Sequence, residues 1–197
     1  MATFVKDDKN LLVRDQNRYR KVYRYIRKKP HPLNCAGADI SNFTWGCYFV
    51  EFDHQTSVTH HFPCCYDTPP AIVATTFGSG SLGNYNVFVS SVTESQCVFE
   101  TSGYYTGYVH YQALEDGVYS MPDIGRSLEV KTLSFSSTNT HTYTFTATFS
   151  CIPIVTATAD QDVNVFVTAL SKTQVTVEVS DANYSGNVYL QAIEKGC

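Results

Sequence analysis

The chain has 197 residues, 43% hydrophobic and 16% charged, a globular balance that permits one large domain or two small ones. It has no run of about 18 apolar residues, and Asp7 and Asp8 stand where a signal peptide would need an apolar core, so a soluble chain outside the general secretion route is expected. The formal charge of −4 is divided unevenly: the first 29 residues hold ten basic and three acidic residues, net +7, and the rest hold four basic against 15 acidic, net −11.

In chain order, residues 1–40 form a basic arm on an acidic body. Arg14, Arg18, Arg20, Lys21, Arg24, Arg27, Lys28 and Lys29 lie among tyrosines. Tyr19, Val22, Tyr23 and Ile26 have helical spacing, while Val22, Arg24 and Ile26 also alternate as in a strand, so both forms stay open. Either presents Arg beside Tyr, a pairing suited to an acidic protein groove or to nucleic acid. Docking on protein is the favoured reading, and nucleic acid is not the expected partner. Pro30, Pro32 and Gly37 end the arm.

The body repeats itself. At an offset of 83, THHFPCCYDTPPAIVATT (59–76) lies over TYTFTATFSCIPIVTATA (142–159). At an offset of 78, NVFVSSVTESQCVFETS (86–102) lies without a gap over NVFVTALSKTQVTVEVS (164–180). After one compensating residue, YTGYVHYQALEDG (105–117) lies over YSGNVYLQAIEKG (184–196), and upstream YFVEF (48–52) falls opposite KTLSF (131–135). Three blocks in one order make a duplicated module.

Each copy shows short period-two apolar runs bounded by Gly, Ser, Asn and Pro, which predicts antiparallel strands. The fold class is therefore all-β, with two tandem antiparallel β-sandwiches at 41–118 and 131–197, joined by a linker at 119–130 containing Pro122 and Gly125. Val87, Val89, Val92 and Val98, with Val165, Val167, Leu170 and Thr176, are expected to feed the two cores. The first copy has an insertion between Phe77 and Tyr85, rich in Gly, which reads as a loop.

These blocks resemble the H-type lectin fold, especially its relatives in bacteriophage tail fibres, baseplates and other virion proteins. The shared pattern is a Phe, a Pro before an apolar strand, V-x-V-x-x-V-T, a polar strand and a last strand ending Q-A-[LI]-E-x-G. Both copies carry it, over about two thirds of the chain. The resemblance implies a homo-oligomer, with a trimer favoured, and sugar binding through an Arg and a Trp-His pair. Here Ser90 and Ser91, or Thr168 and Ala169, stand where the Arg would be, and Tyr111 and Leu190 replace a closing Trp. Tyr104, Tyr105 and Tyr184 are the residues left to stack on a glycan.

Seven cysteines (Cys35, Cys47, Cys64, Cys65, Cys97, Cys151, Cys197) form no CxxC pair, and most are expected to be free thiols. His60, His61, Cys64 and Cys65 lie close in sequence, yet adjacent histidines on a strand face opposite ways, so no metal site is predicted. No nucleophile elbow, phosphate loop or zinc-protease motif occurs, so neither catalytic residues nor a cofactor is expected. The expected function is that of a structural phage virion protein, assembled in the host cytoplasm. It would dock on other virion proteins through its arm as a capsid decoration, head fibre or small tail or baseplate part, with host-surface glycan as a further partner. The alternative is a carbohydrate-binding module without a scaffold role.

Overall fold

Thr, Val, Tyr and Phe fit a pleated, half-buried surface better than a helix, and all regular structure among the described residues is strand. The structure, a computed structural model, describes residues 45–63, 65–77, 85–121 and 126–195; the basic arm lies outside them. The strands are β1 (Trp45–His61), β2 (Ala71–Phe77), β3 (Val87–Val92), β4 (Gln96–Leu114), β5 (Gly117–Met121), β6 (Arg126–Phe135), β7 (Thr140–Thr144), β8 (Ile154–Ala159), β9 (Val165–Leu170), β10 (Gln174–Val179) and β11 (Gly186–Ile193). Every pairing is antiparallel.

The sequence repeat is also a repeat of hydrogen-bond register. In the first half, β1 and β4 are long and bend: their outer portions pair with each other beside β2, and their inner portions pair beside β3. In the second half the same path is broken into β6 and β7, and into β10 and β11. Val50 faces Val109 as Leu133 faces Val188, and Ala71 faces Leu114 as Ile154 faces Ile193. Even the bulge recurs, between Val89 and Ser91 in β3 and between Val167 and Ala169 in β9. The bend in β1 uses His54 at φ 50°, and Ser137, 83 residues later, stands at φ 51°. A left-handed backbone is uncommon for residues other than glycine. In both copies the amide there is held by a hydroxyl, Thr106 Oγ1 at 3.1 Å for His54 and Ser185 Oγ at 2.9 Å for Ser137.

The doubled segment has a local explanation. The Asn86 amide donates to Ser102 Oγ at 3.0 Å and the Asn164 amide donates to Ser180 Oγ at 3.0 Å, so the Asn and Ser that bound the segment tie the open end of each hairpin. At the closed end, Thr93 and Ser171 donate their amides to the carbonyls of Gln96 and Gln174. The Glu that ends the shared Q-A-[LI]-E motif anchors the loop before the next strand. Glu115 accepts the Thr68 amide at 2.8 Å, and Glu194 accepts the amide and hydroxyl of Ser150 and the Ser127 amide. Those Ser150 hydrogen bonds hold the Glu194 carboxyl below the usual carboxylate range.

Each half encloses its own apolar cluster, around Phe52, Ile72, Val89, Phe99 and Tyr111 in the first, and Leu133, Phe135, Val177, Tyr184 and Leu190 in the second. The core expectation needs correcting in part. Val89 is buried, and Val87, Val92, Val165 and Leu170 pack at the margins, but Val98 and Thr176 face away. Cys97 and Phe99, with Val175 and Val177, point inward instead, because the alternation that buries Phe99 hides more apolar area than the one that buries Val98. Val167 also stays exposed. A second correction concerns 119–130, which is largely strand: β5 pairs with β6 from Gly117–Val130 to Met121–Arg126. Pro122 and Gly125, the breakers that suggested a linker, fall between these strands and outside the described residues.

His60 lies in the first half with its ring against Tyr48, Tyr111 and Phe62 and its buried Nε2 without a partner. Loss of water around it, helped by the neighbouring His61, pushes its pKa below the ordinary value. The unfolded chain therefore binds this proton more readily than the native one. Stability is complete above about pH 6.5 and falls as pH drops through that value. The melting temperature is expected to decline between about pH 7 and pH 5, and less steeply in His60→Phe; equal slopes in the two proteins would rule this out.

Candidate functional site

The two halves meet asymmetrically. From the first, Ala71 and Leu114 are fully buried; from the second, the outward face of β6 and β11 supplies Leu128, Val130 and Tyr189, which join the first half's apolar cluster. The Thr158 hydroxyl accepts the Ala74 amide at 2.9 Å, and Asn86 Nδ2 donates to Asp162 Oδ1 at 3.2 Å across the same junction. Beside it opens a cleft of about 640 Å³ whose walls include Cys47, Phe49, Val73 and His110 on one side and Thr156 and Ile193 on the other.

The outward face of β1, β4 and β2 beyond the cleft carries a ring cluster. Phe49 pairs across strands with His110, and Phe77 with Tyr108. The Phe49 ring lies 5.6 Å from Tyr108 and 6.2 Å from His110, and Phe77 lies 5.5 Å from His110. Phe49 and Phe77 are 61% and 62% exposed. The matching positions in the second half are Thr132, Asp160, Asn187 and Tyr189, three polar residues and one buried ring. Sequence reading missed this patch. Its signal is the replacement of Thr132, Asp160 and Asn187 by aromatic residues at outward positions of the other copy.

The three tyrosines expected to bind a glycan separate sharply. Tyr104 is 64% exposed, with its ring stacked on His54 at 4.9 Å and 16°. Tyr105 and Tyr184 are 4% and 1% exposed, which removes them as stacking surfaces. They are a matched structural pair, in which each hydroxyl turns back to the carbonyl three residues on, Tyr108 at 3.3 Å and Asn187 at 2.8 Å. Tyr184 also reaches Asp160 Oδ1 at 2.5 Å, while Asp160 Oδ2 accepts the Asn187 amide at 2.7 Å. Burial first, and then the hydrogen-bonded Asp160 carboxylate, push the Tyr184 pKa up, so it stays a donor. This closed network leaves no room at Gly186, where a Cβ would lie 2.7 Å from Gln161 Nε2 and 2.8 Å from the Tyr184 hydroxyl.

Among the described residues no group of three or more His, Cys, Asp and Glu converges in a way that would hold a metal. His60 turns inward while His61 is exposed; Cys64 lies outside the described residues. Cys47, Cys65 and Cys97 are free thiols, while Cys151 is disulfide-bonded. Burial pushes the Cys97 thiol up to about 12, which makes it inert packing rather than a nucleophile. The docking residues Arg14, Arg18, Arg20, Lys21, Arg24, Arg27, Lys28 and Lys29 all lie outside the described residues. No helix among the described residues is long and apolar enough to cross a membrane. Compared with known proteins, the chain matches no family model, no curated protein and no solved structure.

Proposed function

We propose that the chain is a structural, homo-oligomeric component of a bacteriophage particle. Its basic N-terminal arm docks on other virion proteins, and two tandem β-sandwiches of the H-type lectin-like kind project outward. The observation that carries this reading is the division of labour in charge: a first stretch of 29 residues at +7 joined to a remainder, holding the duplicated all-β body, at −11. A basic segment finds an acidic protein surface over a Debye length of about 10 Å, while the body's own charge keeps it away from nucleic acid. Deleting residues 1–30 is expected to abolish incorporation into particles and to leave nucleic-acid retention unchanged. Incorporation at the full copy number after that deletion would sink the docking role.

A second reading, glycan binding, is favoured by Tyr104, whose exposed ring stacks on His54 at the bend of β1. The flat apolar face of such a ring, with its hydroxyl at the edge, suits the mixed polarity of a sugar. On a glycan array the full chain is expected to bind a host-surface sugar and Tyr104→Ala to lose it. Silence of the unaltered chain at high concentration would remove this reading and leave the structural one standing.

A further inference from the structure

We infer that a second copy of this chain docks on the first by repeating the contact that joins its two halves. The two sides of that internal contact are chemically different: Ala71 and Leu114 on one, Leu128, Val130 and Tyr189 on the other. An interface of this kind is heterologous, and its two sides are not consumed by meeting once. Because the halves share one register, each side occurs again in the chain. Ile154 and Ile193 stand where Ala71 and Leu114 stand, and Cys47 and His110 stand where Val130 and Tyr189 stand.

Of those second occurrences, Ile193 already packs against the first half's cluster, and the other three are uncovered. Ile154 is 57% exposed where Ala71 is fully buried, and Cys47 and His110 are exposed where Val130 and Tyr189 are buried. Around Cys47 and His110 lies the patch of Phe49, Phe77 and Tyr108, more apolar than the face it matches. None of these residues is charged; exposed Glu51 stands cross-strand from Tyr108 at the margin, so the apolar centre of the contact places no like charges face to face. The cleft beside the internal junction continues onto this patch, with Phe49 and His110 in its wall. The geometry therefore places the Ile154 edge of one chain on the Phe49–His110 face of the next, in a head-to-tail series that closes into a ring when the rotation permits. This deepens the oligomeric part of the reading above and is tested apart from particle docking.

The test is sedimentation or mass photometry on the full chain, with Phe49→Glu and Ile154→Arg made separately. Both positions are more than half exposed, so the fold is expected to survive, with melting temperatures near that of the unaltered chain. The unaltered chain is expected to be oligomeric, and each variant to self-associate at least about 30-fold more weakly. Each variant keeps one good side, so an equal mixture of the two is expected to associate through that intact contact, where each variant alone does not. A monomeric unaltered chain overturns the inference and leaves the patch to the chain's own arm or to another protein. An assembly untouched by Ile154→Arg but lost in Phe49→Glu also overturns it, since the patch would then pair with itself. A monomer that still enters particles would sink this contact alone; an oligomer that never enters them would sink the docking role alone.

Discussion

Replacing Glu129 with leucine is expected to lower the unfolding free energy by about 3–5 kcal/mol. Glu129 is 1% exposed on β6 and gathers three donors: the Tyr143 hydroxyl at 2.6 Å, the Thr146 amide at 2.9 Å and the Ala147 amide at 2.8 Å. Leucine matches the volume but accepts nothing, so two backbone N–H groups in the loop after β7 lose their partners, at about 1–3 kcal/mol each when buried. Glu129→Gln keeps one acceptor oxygen and turns the other end into a donor facing an N–H. Its cost is expected to be smaller, about 1–3 kcal/mol. Urea or guanidinium unfolding reads both values. A loss under about 1 kcal/mol for the leucine variant would mean that water reaches the loop amides and that the carboxylate is dispensable.

Tyr184→Ala is expected to cost about 3–5 kcal/mol, and Tyr104→Ala to stay within about 0.5 kcal/mol of the unaltered chain. The first removes a fully buried ring from the second apolar cluster and leaves the Asp160 carboxylate without its hydroxyl donor. Tyr184→Phe separates the two parts, keeping the ring and losing only the hydrogen bonds, for about 1–3 kcal/mol. The Tyr104 side chain is in solvent apart from its contact with His54, so its removal is expected to change ligand binding and not stability. Equal losses at Tyr104 and Tyr184 in thermal melts would contradict the division into one surface tyrosine and one structural tyrosine.

The all-β character and the duplication were legible because both depend on local pattern: period-two apolar runs, and residues such as Asn86, Gln96 and Ser102 whose hydrogen bonds recur at Asn164, Gln174 and Ser180. What was not legible depends on which way a residue faces. Cys97, Val98 and Phe99 are three apolar residues in a row, and only the depth of the Phe99 pocket decides that Val98 looks outward. Tyr104 and Tyr105 are neighbours with opposite fates for the same reason, since alternate strand residues point to opposite faces. The ring patch escaped notice because Phe49, Phe77, Tyr108 and His110 come from three strands and meet only through cross-strand pairing. Glu129 had no signal either: its three donors come from residues 14 to 18 positions further on.

The doubled hairpins also bear on the order in which the chain folds. β3 and β4, like β9 and β10, are separated by a three-residue turn, so each closes with little loss of chain entropy. Apart from the short β5–β6 hairpin, the other pairings must bring together distant segments, Trp45 with Leu114 and Leu128 with Ile193, and such non-local steps are slow. Pulse-labelled hydrogen exchange during refolding is therefore expected to protect the amides of Phe88, Glu100, Phe166 and Glu178, which bond across the two hairpins, before those that join β1 to β4 and β6 to β11. On that view the repeated segment is the chain's early nucleus, formed twice and independently, onto which the long strands later close.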